Sequence, residues 1–393
     1  MTRRRAFVYV QHLLGIGHLR RAATLANALA EKGVDVTLAS GGFPVSDLRL
    51  EGVELVQLPA AAAADLTFKS LVDAERKPVD DDWKSRRREV LLDAWRAAEP
   101  HALIVELFPF GRRQLRFELI PLLDAALESQ HRPAILCSVR DILGGGQRNP
   151  QRQDEMLETF ERYFDGVLVH GDPNVVAFGR TFRHAAALGA RLHYTGYIVE
   201  ERESQSIEAP AGAGEGEVLV SAGGGAVGMR LLETAILARP FYARASSLWR
   251  ILCGVNAPDS ELDRLAAIAR EIAPGGIIVE RARKDFPMLL AHCEVSISQG
   301  GYNTMMDSLR AGARSVVVPF SGGGETEQTL RARAFAERGL VEMVTEENLT
   351  PRSLAGAVAR AMERPRPSGA EIDLGGAKRS AELLHGWISE VEW

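Results

Sequence analysis

The chain is predicted to be an α/β protein made of two Rossmann-like, doubly wound parallel-sheet domains. Short β-branched runs alternate with longer amphipathic stretches along its whole length, as in strands covered by helices on both faces. This rhythm breaks once, between Glu201 and Glu217, where E-R-E-S-Q-S-I-E-A-P-A-G-A-G-E-G-E has no apolar period and reads as a linker. The length of 393 residues also suits two domains of about 150 to 200 residues each. Residues 1–200 are therefore expected to form a first domain and 217–375 a second, joined by a linker over 201–216, with 376–393 a closing helix that could cross back onto the first domain.

In the first domain strands are expected at Ala6 to Val10, Val34 to Ala39, Val53 to Leu58, Ala102 to Glu106, Ala134 to Val139 and Gly166 to His170. Between the first two, Ala22, Leu25, Ala26 and Leu29 recur at helical spacing and Gly33 supplies the stop. The second series has strands at Val218 to Ala222, Ile251 to Val255, Ile277 to Val279, Val295 to Ser298, Ser315 to Val318 and Val341 to Val344, and a last helix from Ala377 to Ile388. Open parallel sheets bind ligands beyond the carboxyl ends of their strands, so two such domains are expected to face a cleft with one substrate held by each.

Hydrophobic residues make up 46% of the chain and charged residues 25%, which fits a globular protein. A net charge of −5 gives no drive toward nucleic acid, and the clusters Arg3-Arg4-Arg5 and Arg86-Arg87-Arg88 are short enough to read as solvated faces. Five apolar residues, Ala6 to Val10, precede Gln11 and His12, too few for a signal-peptide core. No apolar run approaches the roughly 18 residues of a membrane span, so a cytoplasmic protein with at most peripheral membrane contact is expected. Cys137, Cys253 and Cys293 lie far apart in or beside apolar runs and read as buried free thiols.

The segment Ser298 to Thr304, S-Q-G-G-Y-N-T, follows an apolar run and precedes the helical stretch Met305 to Ala311. At such a strand–turn–helix junction the unpaired N–H groups and the positive end of the helix dipole converge, which suits a diphosphate. Gly300 and Gly301 allow a close approach of the main chain, Asn303 and Thr304 add short polar groups, and Asp307 could accept hydrogen bonds from a sugar hydroxyl. After the next strand comes a second polar loop, P-F-S-G-G-G-E-T-E-Q, from Pro319 to Gln328.

A further glycine loop, Gly223, Gly224 and Gly225, follows the strand at Val218; with Gly228 it matches G-x-G-x-x-G. The next strand, however, ends in Gly254-Val255-Asn256 without the acidic residue that would bind an NAD ribose, so a diphosphate-facing loop fits better.

The first strand runs into Q-H-L-L-G-I-G-H-L-R-R, which sets His18 at a helix N-terminus. The helix dipole disfavours an imidazolium there, favouring a neutral base; a plain helix-capping histidine is the alternative. His12, nearer the strand, reads as structural. A carboxylate would orient the base, and Glu106, at a strand end before Phe108-Pro109-Phe110, competes with Asp141 for that role; either could be an ordinary loop carboxylate. Asp80-Asp81-Asp82 lies in a loop-like stretch and reads as a solvated charge run, so no metal site is inferred. His184, His193 and His292 lack the spacing of zinc ligands, and G-x-S-x-G and Walker loops are absent.

Taken together, these motifs resemble glycosyltransferases of the GT-B fold, and in particular the group of the N-acetylglucosaminyltransferase that completes the lipid-linked peptidoglycan precursor, with its bacterial predicted relatives. The likeness is most specific from Val295 to Gly339. It implies an inverting, metal-independent transferase that needs no cofactor beyond a nucleotide-sugar donor, usually a UDP-sugar, in the second domain, with the acceptor in the first. By this resemblance Gly300, Gly301, Asn303 and Thr304 lie against the diphosphate, helped by Gly223 to Gly225. Asp307 stands where a ribose-binding acidic residue, more often glutamate, is found. Glu327 and Gln328 hold the donor sugar, and Arg281 to Phe286 border the base. His18 matches the histidine that deprotonates the acceptor hydroxyl. Leu13, Leu14, Phe108 and Phe110 could receive a lipid-linked or small hydrophobic acceptor, or be core. A nucleotide-sugar 2-epimerase or hydrolase on the same fold, and a non-catalytic nucleotide-sugar-binding regulator, remain as rivals.

Overall fold

The computed structural model describes residues 3–65, 70–144, 149–200, 212–222, 228–244, 247–254, 257–322, 326–368 and 372–390. The chain divides into two compact units, Met1–Glu200 with Gly375–Trp393, and Glu201–Leu374.

In the first unit the strands are β1 (Arg5–Val10), β2 (Asp35–Ser40), β3 (Val53–Gln57), β4 (Ala62–Ala63), β5 (Leu71–Val72), β6 (Ala102–Glu106), β7 (Ala134–Arg140), β8 (Gly166–His170) and β9 (Leu192–Tyr194). Seven of them form a parallel sheet in the order β3-β2-β1-β6-β7-β8-β9, while β4 and β5 pair as a small antiparallel ribbon. Its helices are α1 (Gly17–Glu31), α2 (Asp81–Ala98), α3 (Arg116–Leu127), α4 (Pro150–Tyr163) and, from the far end of the chain, α11 (Gly376–Glu390).

Alternation along β1 sends Phe7 and Tyr9 into a layer with Leu91 and Trp95 of α2, Leu119 and Leu123 of α3 and Phe160 of α4. Ala6, Val8 and Val10 face the opposite layer, made with Leu25 and Leu29 of α1 and Leu384 and Ile388 of α11. Buried on both faces, such strands are near-continuous apolar runs, which is why they are legible in the sequence.

The second unit holds β10 (Val218–Ser221), β11 (Trp249–Cys253), β12 (Ile277–Arg281), β13 (Val295–Ser298), β14 (Ser315–Val317) and β15 (Glu342–Met343) in one parallel sheet, ordered β12-β11-β10-β13-β14-β15. Its helices are α5 (Met229–Ala238), α6 (Asp259–Ile272), α7 (Phe286–His292), α8 (Tyr302–Arg310), α9 (Glu327–Glu337) and α10 (Pro351–Glu363). Val218 and Val220 pack with α5, α6 and α10, and Leu219 with Leu289 and Leu290 of α7. In each unit strand order reverses beside the first strand, between β1 and β6 and between β10 and β13. Ligands of such sheets bind at these switch points.

Several local expectations are corrected. β9 and the β4–β5 ribbon, of three and two residues per strand, were not foreseen. Asp80-Asp81-Asp82 is not a loop: the Asp80 side chain accepts from the Trp83 N–H at 2.7 Å and caps α2, with Asp81 and Asp82 in its first turn, where carboxylates favour the helix dipole. Arg87 is not part of a solvated face. It is fully buried, and its Nε and Nη2 donate to Glu118, its Nη2 also to Gln11 Oε1, and its Nη1 to the carbonyls of Gly41 and Pro59. Glu118 also accepts from the Tyr9 hydroxyl at 2.6 Å. With its donors met, this buried ion pair ties α2 and α3 to the end of β1. α8 begins at Tyr302, three residues before the expected helical stretch. Cys137, Cys253 and Cys293 are buried free thiols. Among the described residues no helix is long and apolar enough to cross a membrane.

Candidate active site

At the β1–β6 switch point the chain leaves β1, passes through Gly15-Ile16-Gly17 and enters α1 with His18 as its second residue. Glu106 is the last residue of the adjacent β6, and the parallel register that pairs Tyr9 with Val105 brings the two ends together. His18 Nδ1 lies 2.8 Å from Glu106 Oε1. Arg21, one turn along the same face of α1, donates to that same oxygen, and Arg140 at the end of β7 comes within 3.1 Å of His18 Nε2.

Arg21 Nη2 also lies 3.2 Å from His18 Nδ1, but the shorter contact of Nδ1 is with Glu106, a carboxylate that can only accept, so the ring proton is assigned to Nδ1, directed at Glu106, and Nε2 accepts from Arg140. That is the tautomer a general base requires, with the lone pair on Nε2. The His18 side chain keeps 15% of its surface exposed, while Glu106 is 1% exposed.

Burial lowers the His18 pKa, Glu106 opposes the drop, and Arg140 and Arg112 reinforce it, leaving the imidazole at about 3 and neutral under ordinary conditions. Burial alone would raise Glu106, but His18, Arg21 and Arg112 hold its carboxyl well below the usual carboxylate range. The expected neutral base is thus held neutral chiefly by burial and neighbouring guanidiniums, not by the helix dipole alone. Asp141, the rival carboxylate, is buried elsewhere, with Gly171 against its Cβ and the Tyr197 hydroxyl donating to it at 3.3 Å.

The arginines around His18 were missed. Arg21 was within reach of sequence reasoning, since it lies three residues after His18 on a helix; Arg140 and Arg112 depend on strand order and loop path and carried no signal. His12 is buried, its ring against Gly42. Phe108 and Phe110 are core: Phe110 packs edge-on to Phe178 and Phe182 with centroids 5.3 and 5.0 Å apart. Leu13 is buried as well, so of the four apolar residues considered for an acceptor only Leu14 is exposed.

At the β10–β13 switch point, β13 ends at Ser298 and the chain turns through Gln299, Gly300 and Gly301 into α8. The N-cap position of this helix is Gly301, which has no side chain to cap it. The two glycines differ in purpose. A Cβ on Gly300 would stand 3.2 Å from Pro319 Cβ and 3.3 Å from Gln328 Cβ, whereas a Cβ on Gly301 would meet nothing within 4 Å. Gly300 lets two loops touch; Gly301 faces open space. Gly228, at φ 131°, is held close to Ala222 and the Gln299 side chain, which brings the start of α5 against the same turn. Gly223, Gly224 and Gly225 lie outside the described residues.

Asn303 and Thr304, in the first turn of α8, share a face with Asp307 one turn on, and all three are half-buried. Glu327 opens α9, is buried, and accepts from Arg331 at 2.8 Å; the Arg331 guanidinium stacks over the Tyr302 ring at 5.1 Å. Gln328 Oε1 accepts from the Phe320 N–H at 3.1 Å. In this arrangement Gln328 holds the loop at Phe320, and Glu327 pairs with a residue of its own helix. In the segment Arg281 to Phe286, Arg283 pairs with Asp285 at 2.6 Å.

Residues 280–373 match the glycosyltransferase family 28 C-terminal domain. The chain is 23% identical over 412 residues to the NDP-glycosyltransferase YjiC of Bacillus licheniformis, covering 95% of each. It is 31% identical over 94 residues to the UDP-N-acetylglucosamine–N-acetylmuramyl-(pentapeptide) pyrophosphoryl-undecaprenol N-acetylglucosamine transferase of Desulforudis audaxviator, a match spanning 24% of this chain and 25% of that protein. Among solved structures, the calicheamicin glycosyltransferase CalG4 superposes over 100% of both chains with a TM-score of 0.65 at 17% identity. MurG of Acinetobacter baumannii covers 97% of this chain and 99% of its own with a TM-score of 0.58 at 14% identity. The chain thus carries a glycosyltransferase family 28 C-terminal domain in its second unit, has glycosyltransferases among its sequence relatives, and shares the GT-B fold with its structural neighbours.

Proposed function

We propose that the protein transfers a sugar from a nucleotide-sugar donor, a UDP-sugar, to an acceptor hydroxyl, with inversion and without a metal ion. The observation that carries this reading is the His18–Glu106 pair at 2.8 Å, at a strand-end switch point, with the imidazole neutral and Nε2 on its outer side. As the acceptor oxygen attacks the anomeric carbon, its proton passes to His18 Nε2. The bond from that carbon to the diphosphate oxygen breaks, and its electron pair leaves with the nucleotide. Glu106 keeps the ring in the accepting tautomer and stabilises the imidazolium that forms.

The leaving diphosphate is met in the second unit by the N–H groups and dipole at the start of α8, with Gly301 open to it and Asn303 and Thr304 beside it. Asp307 is assigned to the ribose, and Glu327 and Gln328 to the donor sugar once they exchange the contacts with Arg331 and the Phe320 N–H described above. The names of the relatives support the donor class: one is an NDP-glycosyltransferase and another uses UDP-N-acetylglucosamine.

The test is His18→Ala. Transfer should fall by about 10²- to 10⁴-fold, the usual worth of a general base, while UDP affinity stays the same. Unchanged turnover would remove His18 from this role, and loss of turnover on adding EDTA would overturn the metal-free mechanism.

A further inference from the structure

Arg21 and Glu106 carry opposite charges on side chains with almost no exposure, 2% and 1%. Among the described residues Glu106 accepts hydrogen bonds from two donors, His18 Nδ1 and Arg21 Nη2, both at Oε1, while Oε2 is buried with none. Arg21 Nη2 stands 3.2 Å from His18 Nδ1 as well, so guanidinium, carboxylate and imidazole form a closed triangle. Helical spacing builds it: Arg21 follows His18 by three positions, which puts both on one face of α1, toward the end of β6.

The triangle is neutral as a whole, with one positive charge on Arg21, one negative charge on Glu106 and none on the imidazole. Without Arg21 the His18–Glu106 dyad would hold a buried negative charge, and a buried carboxylate that loses its counter-charge draws a proton from solvent. That proton blocks Nε2 by either route. If it goes to the ring, both ring nitrogens carry one. If it goes to the carboxyl, the new O–H donates to Nδ1 and the ring's own proton moves to Nε2. The lone pair that the acceptor hydroxyl needs is lost in both cases.

The other charged and titratable groups around the dyad do not repeat this role. Arg140, at the end of β7, meets His18 at Nε2 rather than at the nitrogen that faces Glu106. Arg112 also holds the Glu106 carboxyl down, but by less than Arg21 does. His170, at the end of β8, is held between the Ser138 and Thr195 hydroxyls at 2.7 and 2.9 Å, and burial keeps it neutral.

We propose that Arg21 is a positioning residue for the reaction: its guanidinium balances Glu106, so that the dyad takes up no extra proton and His18 Nε2 stays bare for the acceptor. This rests on the transferase reading above and adds a third member to its base, acting through Glu106.

The test is ¹⁵N NMR of the histidine ring nitrogens in the full chain at neutral pH, with the His18 signals identified by their loss in His18→Ala. The wild type should show a proton on Nδ1 and none on Nε2. Arg21→Gln should show Nε2 protonated, with the pH at which it loses that proton rising from about 3 to above the ordinary 6.5. Arg21→Lys, which keeps the charge, should restore a bare Nε2. A purely structural role would lower the melting temperature of Arg21→Gln and leave the ring proton on Nδ1. Should Arg21→Gln fail to fold, Arg21→Gln combined with Glu106→Gln removes both charges together, and charge balance then requires a bare Nε2. The proposal is overturned by a protonated Nε2 in the wild type, in Arg21→Lys or in the double variant, or by a bare Nε2 in folded Arg21→Gln. Calorimetry of UDP binding to the wild type separates the two readings, since failure to bind UDP sinks the transferase reading and leaves the proton assignment standing.

Discussion

At the β1–β6 switch point the chain places His18, Glu106, Arg21, Arg112 and Arg140; at the β10–β13 switch point it places Gly300, Gly301, Asn303 and Thr304. The topological position is the same and the materials are opposite. Moving a proton needs a titratable group whose pKa is set by its surroundings, and long charged side chains on neighbouring strands provide them. Holding a diphosphate needs only donors at the right spacing, which the main chain supplies once side chains are kept out of the way. The first site should therefore be sensitive to the loss of side chains, and the second to their addition.

The largest effect expected is on stability at the first site. Glu106→Ala removes the carboxylate ion-paired to the buried Arg21 and should cost about 3–5 kcal/mol in denaturant unfolding, whereas Asn303→Ala at the second site should stay within about 0.5–1 kcal/mol. Equal effects would erase the distinction between the sites.

Next come the two glycines. Gly301→Ala adds a Cβ in open space on a backbone that alanine adopts freely, so the melting temperature should hold while UDP affinity drops about tenfold, or about 1.4 kcal/mol. Gly300→Ala crowds Pro319 and Gln328 and should cost about 1–3 kcal/mol of stability instead. A Gly301→Ala protein that binds UDP normally would move the diphosphate away from this turn.

The smallest effect is on pH dependence. His18 and His170 titrate at about 3 in the folded chain and near the ordinary 6.5 when unfolded. Between those values the unfolded chain binds more protons, so stability should fall as pH drops from about 6.5 toward 3. The slope should be shallower in His18→Ala, as read from unfolding midpoints across that range, and turnover should show no acid limb near 6.5. A limb at that pH would mean that the imidazole is not held neutral.

The sheet strands that run four residues or more were legible from period and β-branching, because burial on both faces leaves an apolar imprint. Glu106 was legible at the end of a strand and His18 at a helix N-terminus. Their pairing was named as a candidate, but the choice of Glu106 over Asp141 was not legible, since it follows from β6 lying beside β1. The arginines escaped for a related reason. Arg87 is neighboured by Arg86 and Arg88 and looks solvated, yet Glu118, Gln11 and two carbonyls from distant segments make its burial stable. Charged residues are buried only when paired, and their partners belong to the tertiary fold. Gly300 and Gly301 were read alike, as places for close approach; Gly301 faces open space, whereas Gly300 sits against Pro319 and Gln328, a packing constraint that no local pattern announces.

The most direct test of main-chain recognition in the second unit is hydrogen–deuterium exchange of the full chain with and without UDP, in EDTA. The amides from Gln299 to Thr304 should gain the strongest protection. Protection centred on another segment, or none until a divalent cation is added, would contradict the account.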